Sequence, residues 1–159
     1  MTLLNKDPVQ RVQRILKQFD TNLEVIALNN SARTALEAAS SLGCDVGAIV
    51  KSLLFQTEQN YILCLVAGDK KASLNKIKKI LNKKDVSMAS ANDVKNVTGF
   101  TIGGVSPIGH LNKIDILVDH SLKRFNQLFA AAGHPNCIFK ISFRDLSKIT
   151  KGSIEEIVE

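Results

Sequence analysis

Apolar residues recur along the chain with two spacings, and these predict helices interspersed with strands. Spacings of three and four residues, typical of helices, occur over residues 9–19, 74–81 and 143–149. Short apolar runs predict strands at residues 23–28, 49–56, 61–67, 114–118, 127–132 and 137–141. The polar sequence TEQN lies between the second and third runs and predicts a hairpin. Because several strands are joined by short turns, we expect an α+β fold with a mixed, mostly antiparallel sheet and peripheral helices.

Polar residues and glycines mark the ends of the predicted helices. Three pairs have the spacing of a capping box, in which a hydroxyl accepts a hydrogen bond from the backbone three residues later: Thr34 with Glu37, Ser90 with Asp93, and Ser142 with Asp145. Gly43 and Gly99 follow two of these helices at the position of a C-terminal cap. In the 74–81 helix, the apolar stripe predicted to face the core consists of Leu74, Ile77, Ile80 and Leu81.

The bulk composition is that of one globular domain, which we expect to span residues 1–159. Hydrophobic residues make up 45% and charged residues 23%, which argues against disorder. The longest apolar run, residues 62–67, is too short to cross a bilayer, and the first eight residues lack the apolar core of a signal peptide. Cys44, Cys64 and Cys137 form no CxxC pair, which favours reduced thiols. The sequence therefore predicts a soluble cytoplasmic protein without a membrane partner.

The net charge of +6 favours an anionic partner, and the charge is concentrated in one segment. Residues 70–84 contain seven lysines and no acid. Two interpretations stay open: a solvated helix face, or a surface that binds phosphates through Lys76, Lys79 and Lys83 in one helical stripe. The chain has one Tyr and no Trp, so a base-stacking platform is not expected.

Residues 98–110, TGFTIGGVSPIGH, form the segment richest in candidate chemistry. Glycines allow positive φ and close approach of a ligand, and consecutive backbone N–H groups in such a loop can bind an anion or a developing oxyanion. The segment has neither the GK[ST] of a P-loop nor GxGxxG. A purely structural loop is the equally weighted alternative.

Three further side chains could belong to a site, and each has an ordinary alternative. Lys51, within AIVKSLLF, lies either on a solvated strand face or in a cleft where it meets a phosphate or carbonyl oxygen. Asp119, after the strand IDILV, either binds a substrate ammonium or caps the next segment. His134, in the turn GHPN, and His110, after the glycine-rich loop, could bind RNA, position water or be merely exposed.

Two common kinds of catalytic centre are not predicted. His134 and Cys137 have spacing compatible with metal ligation, but no second closely spaced pair accompanies them, so we expect no metal. Ser52, Ser106 and Ser121 lie outside any GxSxG motif, so a serine-hydrolase triad has no support.

Taken together, the segments IVKSLLF, GFTIGGVSPIGH, IDILVDHSL and AAGHPNCIFKIS resemble the YbaK / prolyl-tRNA synthetase-associated editing domain family in order and approximate spacing. The likeness runs from the helix at Thr34 to the helix after Ser142. It implies a compact α+β fold around a mixed, barrel-like sheet. The family's functional lysine falls on Lys51, its glycine-rich loop on Gly103, Gly104, Ser106 and Pro107, its acidic strand-end position on Asp119, and its histidine on His134.

The resemblance also implies an activity. Members hydrolyse the ester between a wrong amino acid and tRNA, mostly mischarged prolyl-tRNA, and for such a reaction in this chain we expect no metal or organic cofactor. We therefore expect a trans-acting aminoacyl-tRNA deacylase that removes a small wrong amino acid such as Ala, Ser or Cys from tRNA(Pro). The GHPN turn is more similar to branches acting on alanyl- or seryl-tRNA than to the cysteinyl branch. Aminoacyl-tRNA is the expected partner, and prolyl-tRNA synthetase a further one. A non-catalytic tRNA- or synthetase-binding module and a hydrolase of small free esters are the alternatives.

Overall fold

The computed structural model describes residues 2–159, and helices are interspersed with strands along them as the spacings predict. The α-helices are α1 (Asp7–Phe19), α2 (Ala35–Leu42), α3 (Leu74–Leu81), α4 (Ala91–Thr98) and α5 (Phe143–Thr150). The strands are β1 (Val25–Ala27), β2 (Ile49–Gln56), β3 (Tyr61–Ala67), β4 (Ser87–Met88), β5 (Asp115–Asp119), β6 (Leu128–Ala131), β7 (Cys137–Ile141) and β8 (Ser153–Glu155). Three short 3₁₀ helices complete the described elements: Leu3–Asn5, Val46–Ala48 and His120–Arg124.

All of these strands join one mixed sheet, in the order β1-β7-β6-β2-β3-β5-β8, with β4 paired to β2 outside that path. The pairs β1–β7, β2–β3, β2–β4 and β6–β7 are antiparallel. The pairs β2–β6, β3–β5 and β5–β8 are parallel. The predicted mixed sheet is therefore confirmed, and the predicted hairpin joins β2 to β3 through a turn in which Thr57 N–H donates to the Asn60 carbonyl.

Helices cover both faces of the sheet. The larger core contains Leu16 of α1, Val94 of α4 and Leu146 of α5, together with Val50 and Leu54 of β2. Successive residues of a strand point to opposite faces. Accordingly, Phe55 packs on the other side with Ile77 of α3, and Ile49 packs there against Ala38 and Ala39 of α2. The strand β2 thus contributes to three hydrophobic clusters.

The predicted helix caps are present. The hydroxyls of Thr34, Ser90 and Ser142 each accept a hydrogen bond of 3.1 Å from the N–H three residues later. Gly43 and Gly99 end α2 and α4 in the left-handed region, with φ of 66° and 81°. These caps satisfy backbone groups that a helix end leaves without partners.

The prediction for the lysine-rich helix is wrong in two respects. First, α3 ends at Leu81, because Asn82 adopts the left-handed conformation with φ of 54° and turns the chain. Lys83 therefore lies beyond the helix and shares no helical stripe with Lys76 and Lys79. Second, Leu74 and Ile80 are 39% and 38% exposed, so Ile77 is the one residue of the predicted apolar stripe that is fully buried.

The described thiols are free, and Cys64 and Cys137 are fully buried. Burial raises the pKa of the Cys64 thiol to about 12, so this side chain is a neutral core residue, as predicted. Among residues 2–159 no helix combines the length and the apolar character needed to cross a membrane.

Candidate functional site

The sheet has an opening beside the middle of β2. At one end of the opening, Ile49 and Val50 pair with β6, and at the other, Phe55 and Gln56 pair with β4. Between these pairs, residues 51–54 have no strand partner on this side within the described part of the chain. The Leu54 carbonyl accepts from Ala89 N–H at 3.0 Å, so residues 51–53 are the open ones. A cavity of about 350 Å³ lies at this opening, a size that suits a small ligand.

The cavity wall is mainly apolar and built from small and medium side chains. It comprises Ala32, Ala35, Ala38, Ile49, Val50, Leu53, Leu54, Met88, Ala89, Val94, Ile102, Gly103, Val105, Phe129, Ala130, Ala131 and Ile138. The polar members are Arg33, Thr34, Lys51 and Ser52. The Ser52 hydroxyl is buried and has no hydrogen-bond partner within residues 2–159. Such a wall can bind a short apolar side chain and offers few polar contacts to orient it.

The glycine-rich loop borders the cavity and packs against the GHPN turn. Gly103 lines the cavity with φ of 95°, and a β carbon there would lie 2.6 Å from Cγ of Arg33. A β carbon on Gly104 would lie 3.0 Å from both N and Cα of His134. The Gly104 carbonyl also accepts a hydrogen bond of 3.1 Å from Gly133 N–H. The structure thus brings Gly103, Gly104 and His134 together, as the sequence predicts.

The backbone N–H groups of this loop are not all available to a ligand. Gly104 N–H donates to the Thr101 carbonyl at 2.9 Å, so this group is already engaged within the loop. The N–H groups of Gly103 and Val105 donate no hydrogen bond within the described residues, and both residues line the cavity. These two groups are therefore the candidate donors to a carbonyl oxygen or an oxyanion.

Lys51 lines the cavity from β2, and its ammonium is bound by the turn that follows β3. Nζ donates to the Lys70 carbonyl at 2.5 Å. Burial lowers the pKa of Lys51, and the Asp69 carboxylate opposes that shift. The side chain is half-buried, so the cleft interpretation of Lys51 fits its environment better than the fully solvated face.

His134 is partly buried beside the loop and is held in one orientation. Its Nδ1 accepts a hydrogen bond of 3.0 Å from Asn136 N–H, so the neutral ring carries its proton on Nε2. Burial lowers the pKa of His134, and the charges of Lys6 and Arg33 lower it further. Near neutral pH this ring is therefore a hydrogen-bond donor through Nε2. Within residues 2–159 no three His, Cys, Asp or Glu side chains cluster as metal ligands do.

Ser106 and Pro107 are buried residues of the loop and do not line the cavity. The Ser106 hydroxyl accepts from Ile108 N–H at 3.3 Å, and its carbonyl lies 2.7 Å from Nε2 of His110. Both contacts fix the shape of the loop from within. A direct contact of Ser106 or Pro107 with substrate stays a prediction.

Asp119 is 2% exposed and does not border the cavity. One carboxylate oxygen accepts from Ser121 N–H at 2.9 Å and from the Ser121 hydroxyl, and the other accepts from Ile157 N–H at 2.8 Å. Both oxygens are thus engaged within the chain. Of the two interpretations given for Asp119, the structure has the capping one.

Arg33 is the cavity residue that the sequence reasoning missed. It directly precedes Thr34, the capping residue of α2, is exposed, and packs its side chain over Gly103. Its guanidinium makes no hydrogen bond or ion pair within residues 2–159. A cation just before a helix N-terminus is unfavourable with the helix dipole. The position of Arg33 directly before the capping residue Thr34 was therefore the sequence signal that Arg33 has a role other than helix stability. A free guanidinium at the cavity edge suits a phosphate.

The sequence of this cavity-forming region matches a known family. Residues 29–149 match the aminoacyl-tRNA editing domain, and this range includes both β2 and the glycine-rich loop. The chain belongs to the aminoacyl-tRNA editing domain family. The family identified from its segments in the sequence is thereby confirmed.

Similar proteins include stand-alone chains and parts of synthetases. The uncharacterized protein YwhH of Bacillus subtilis is 32% identical over 143 residues, which cover 89% of this chain and 90% of YwhH. A proline–tRNA ligase of Caldicellulosiruptor bescii is 30% identical over 133 residues, but these cover 78% of this chain and only 23% of the ligase. The editing-domain chain thus spans about a quarter of that synthetase.

Solved structures confirm the fold. The crystal structure of a protein proposed to be a trans-editing enzyme for prolyl tRNA synthetase superposes with a TM-score of 0.91 at 34% identity, covering 97% of this chain and 98% of that one. The hypothetical protein APE2540 superposes with a TM-score of 0.87 at 27% identity, over 94% and 99% of the two chains.

Proposed function

We propose that this editing-domain protein is a trans-acting deacylase that hydrolyses the ester of mischarged tRNA, with tRNA(Pro) carrying Ala, Ser or Cys as the substrate. The observation that carries the proposal is the small apolar cavity at the sheet opening, bordered by Lys51 and by the unengaged N–H groups of Gly103 and Val105. A wall of this kind suits a short side chain. The buried Ser52 hydroxyl offers a hydrogen bond to a polar one.

The reaction needs a positioned water and stabilisation of charge more than a strong protein nucleophile, because the aminoacyl ester is already activated. Water adds to the ester carbonyl, and the carbonyl oxygen becomes an oxyanion. The N–H groups of Gly103 and Val105 donate to that oxygen. The bond from carbon to the ribose oxygen then breaks, and the ribose oxygen takes up the proton that the water has lost. The vicinal ribose hydroxyl relays this proton.

The charged groups around the cavity would bind the end of the tRNA. Arg33 at the cavity edge meets the phosphate of the terminal nucleotide, and Lys51 holds a ribose or phosphate oxygen. His134 donates from Nε2 to a substrate oxygen, since its Nδ1 is already occupied by Asn136. Lys76, Lys79 and Lys83 would contact phosphates of the tRNA backbone.

Such an activity has a defined place in the cell. The protein would act in the cytoplasm to maintain translation fidelity, with aminoacyl-tRNA as its substrate and prolyl-tRNA synthetase as a partner that produces the mischarged form. Selection by cavity size is needed at a second site because one methylene changes binding by only about 1–3 kcal/mol. No metal or organic cofactor enters the proposed mechanism.

The test is a deacylation panel. It uses tRNA(Pro) charged with Ala, Ser, Cys or Pro, and tRNA(Ala) charged with Ser or Gly, each compared with spontaneous hydrolysis. We expect many turnovers per protein with at least one small wrong amino acid on tRNA(Pro), while prolyl-tRNA(Pro) is spared.

Two outcomes would contradict the proposal. Tight tRNA binding without turnover on any ester would identify a non-catalytic tRNA- or synthetase-binding module. Hydrolysis of small free esters as fast as of aminoacyl-tRNA would identify a general esterase.

A further inference from the structure

The ammonium of Lys51 is held by the turn that follows β3. Lys70 N–H donates to the Ala67 carbonyl at 3.0 Å, which closes the turn, and the Lys70 carbonyl accepts from Lys51 Nζ at 2.5 Å. The position of this carbonyl therefore determines where the ammonium lies. Whatever fixes the turn also fixes Lys51.

An ion pair fixes the turn from outside the cavity. Nη1 and Nη2 of Arg124 donate to the two carboxylate oxygens of Asp69, at 3.0 Å and 2.7 Å. Two parallel hydrogen bonds restrict direction as well as distance. Asp69 directly precedes Lys70, so holding its side chain restrains the carbonyl that binds Lys51.

Arg124 is in turn anchored to the fold. Its Nε donates to the Ser121 carbonyl at 2.7 Å, and Ser121 is the residue capped by Asp119. The guanidinium lies 4.9 Å from the centre of the Phe125 ring. Gly47 gives this arrangement room, because a β carbon there would lie 2.8 Å from Cζ of Phe125 and 3.0 Å from Cγ of Asp69.

The charges of this cluster act on one another. Burial lowers the pKa of Lys51 and Asp69 raises it, while the hydrogen bond from Arg124 lowers the pKa of Asp69. The positive charge of Lys70 lowers the pKa of Asp69 as well. The Asp69 hydrogen bond raises the pKa of Arg124, and Asp119 and Asp45 add to that shift. Lys51 thus lies beside one carboxylate whose charge is partly offset by Arg124.

We propose that Asp69, clamped by Arg124, is a positioning residue that sets the location of the Lys51 ammonium. Its importance for catalysis rests on the function proposed above for Lys51. The proposal also gives Asp119 an indirect part, since Asp119 supports Ser121 and Ser121 supports Arg124.

The test compares two variants that should shift the pKa of Lys51 in opposite directions. Asp69→Asn removes the negative charge beside Lys51, so the pKa of Lys51 should fall below its wild-type value. Arg124→Gln removes the positive charge that offsets Asp69, so the same pKa should rise. The pKa is read from the pH dependence of the lysine Cε–Hε signals in NMR spectra of the full chain without tRNA, with the Lys51 signal assigned by its loss in Lys51→Arg.

Activity is measured in parallel by single-turnover deacylation. Both variants should lose about tenfold or more in rate while tRNA affinity changes less than twofold, because the ammonium is displaced rather than lost. Asp115→Asn is the matched control. Asp115 pairs with Ile62 at the opposite end of β3, is exposed, and should leave both readouts unchanged.

The outcomes separate this proposal from the function on which it rests. Shifts in opposite directions, with slower hydrolysis, would support the clamp. No shift, or shifts of the same sign in Asp69→Asn and Arg124→Gln, would overturn it. Full activity of Lys51→Ala would refute the proposed role of Lys51 in hydrolysis, whereas the NMR titration would still decide whether Asp69 controls Lys51.

Discussion

A methyl group added at Gly104 should slow hydrolysis by a predictable amount. In Gly104→Ala the β carbon would lie 3.0 Å from N and Cα of His134, whereas ordinary contacts begin near 3.4 Å. The loop must therefore move about 0.4 Å away from the GHPN turn (3.4 minus 3.0). The opposing atoms are backbone, so the strain cannot be relieved by a side-chain rotation.

The structural shift gives two magnitudes. Overpacking of this kind costs about 1–3 kcal/mol of unfolding free energy, and each kcal/mol lowers Tm by about 2–4 °C in a domain of this size. A misplacement of about 1 Å can cost about 10²-fold in rate. If the logarithm of the rate loss is proportional to the displacement, a shift of about 0.4 Å predicts a loss of about five- to tenfold in the single-turnover rate, with tRNA affinity unchanged.

Gly43→Ala is the matched control. Gly43 ends α2 with φ of 66° and has nothing within 4 Å of an added β carbon. The substitution should cost about 1–2 kcal/mol through backbone strain alone, without touching the loop. Thermal unfolding, single-turnover hydrolysis and tRNA binding are measured on both variants. A wild-type rate in Gly104→Ala, or the same rate loss in Gly43→Ala, would refute the assignment of the loop.

Three further perturbations test other parts of the molecule. Lys51→Ala should reduce deacylation by about 10²-fold with an unchanged circular dichroism spectrum; full activity would contradict its role. Replacing Lys76, Lys79 and Lys83 by Gln should weaken tRNA binding and flatten its salt dependence without slowing hydrolysis of a small aminoacyl ester; unchanged salt slopes would show a merely solvated surface. Burial lowers the pKa of His110, so unfolding free energy should decrease as pH falls below about 6.5, less so in His110→Gln; equal acid sensitivity would contradict this.

The sign of the His110 prediction follows from proton binding. The folded state binds fewer protons than the unfolded state below pH 6.5, because the buried ring resists protonation. Its stabilising contribution is therefore present above the unfolded pKa and is lost as pH falls towards the folded one. Nε2–H of His110 donates to the Ser106 carbonyl at 2.7 Å, and this hydrogen bond opposes the lowering of the His110 pKa, so the expected acid sensitivity comes from burial of the ring.

Strands with a clear apolar run were predicted, whereas the very short β4 and β8 were missed. The pattern alone gives the correct bounds of β2, β3 and β7. The apolar runs of β2 and β3 are seven or eight residues long, and that of β7 lies between a tight turn and a helix cap, so few other strand bounds are compatible with them. By contrast, β4 has only two residues, both exposed, and β8 has three, of which two are exposed, too few to show any periodicity. These strands form because longer strands already present an edge to them.

Site residues were predictable where local sequence decides and unpredictable where distant contacts do. Gly103 and His134 come together through a loop and a turn whose composition is distinctive. The engagement of Asp119 depends on Ile157, which is 38 residues away, and that of Lys51 on Lys70. No local pattern encodes either contact. Lys83 was misplaced for a local reason, since Asn82 is a common residue in the left-handed position that ends a helix.

The shortness of β4 has a consequence for how specificity can change. The cavity exists because β4 pairs with only the last two residues of β2, which leaves residues 51–53 open. Each residue added to β4 would extend pairing by about 3.3 Å along that edge and fill part of the opening. Insertions or deletions in the connection between α3 and α4 could therefore rescale the amino-acid pocket without altering any residue of its wall. In this fold, substrate range is open to change through segment length as well as through substitution.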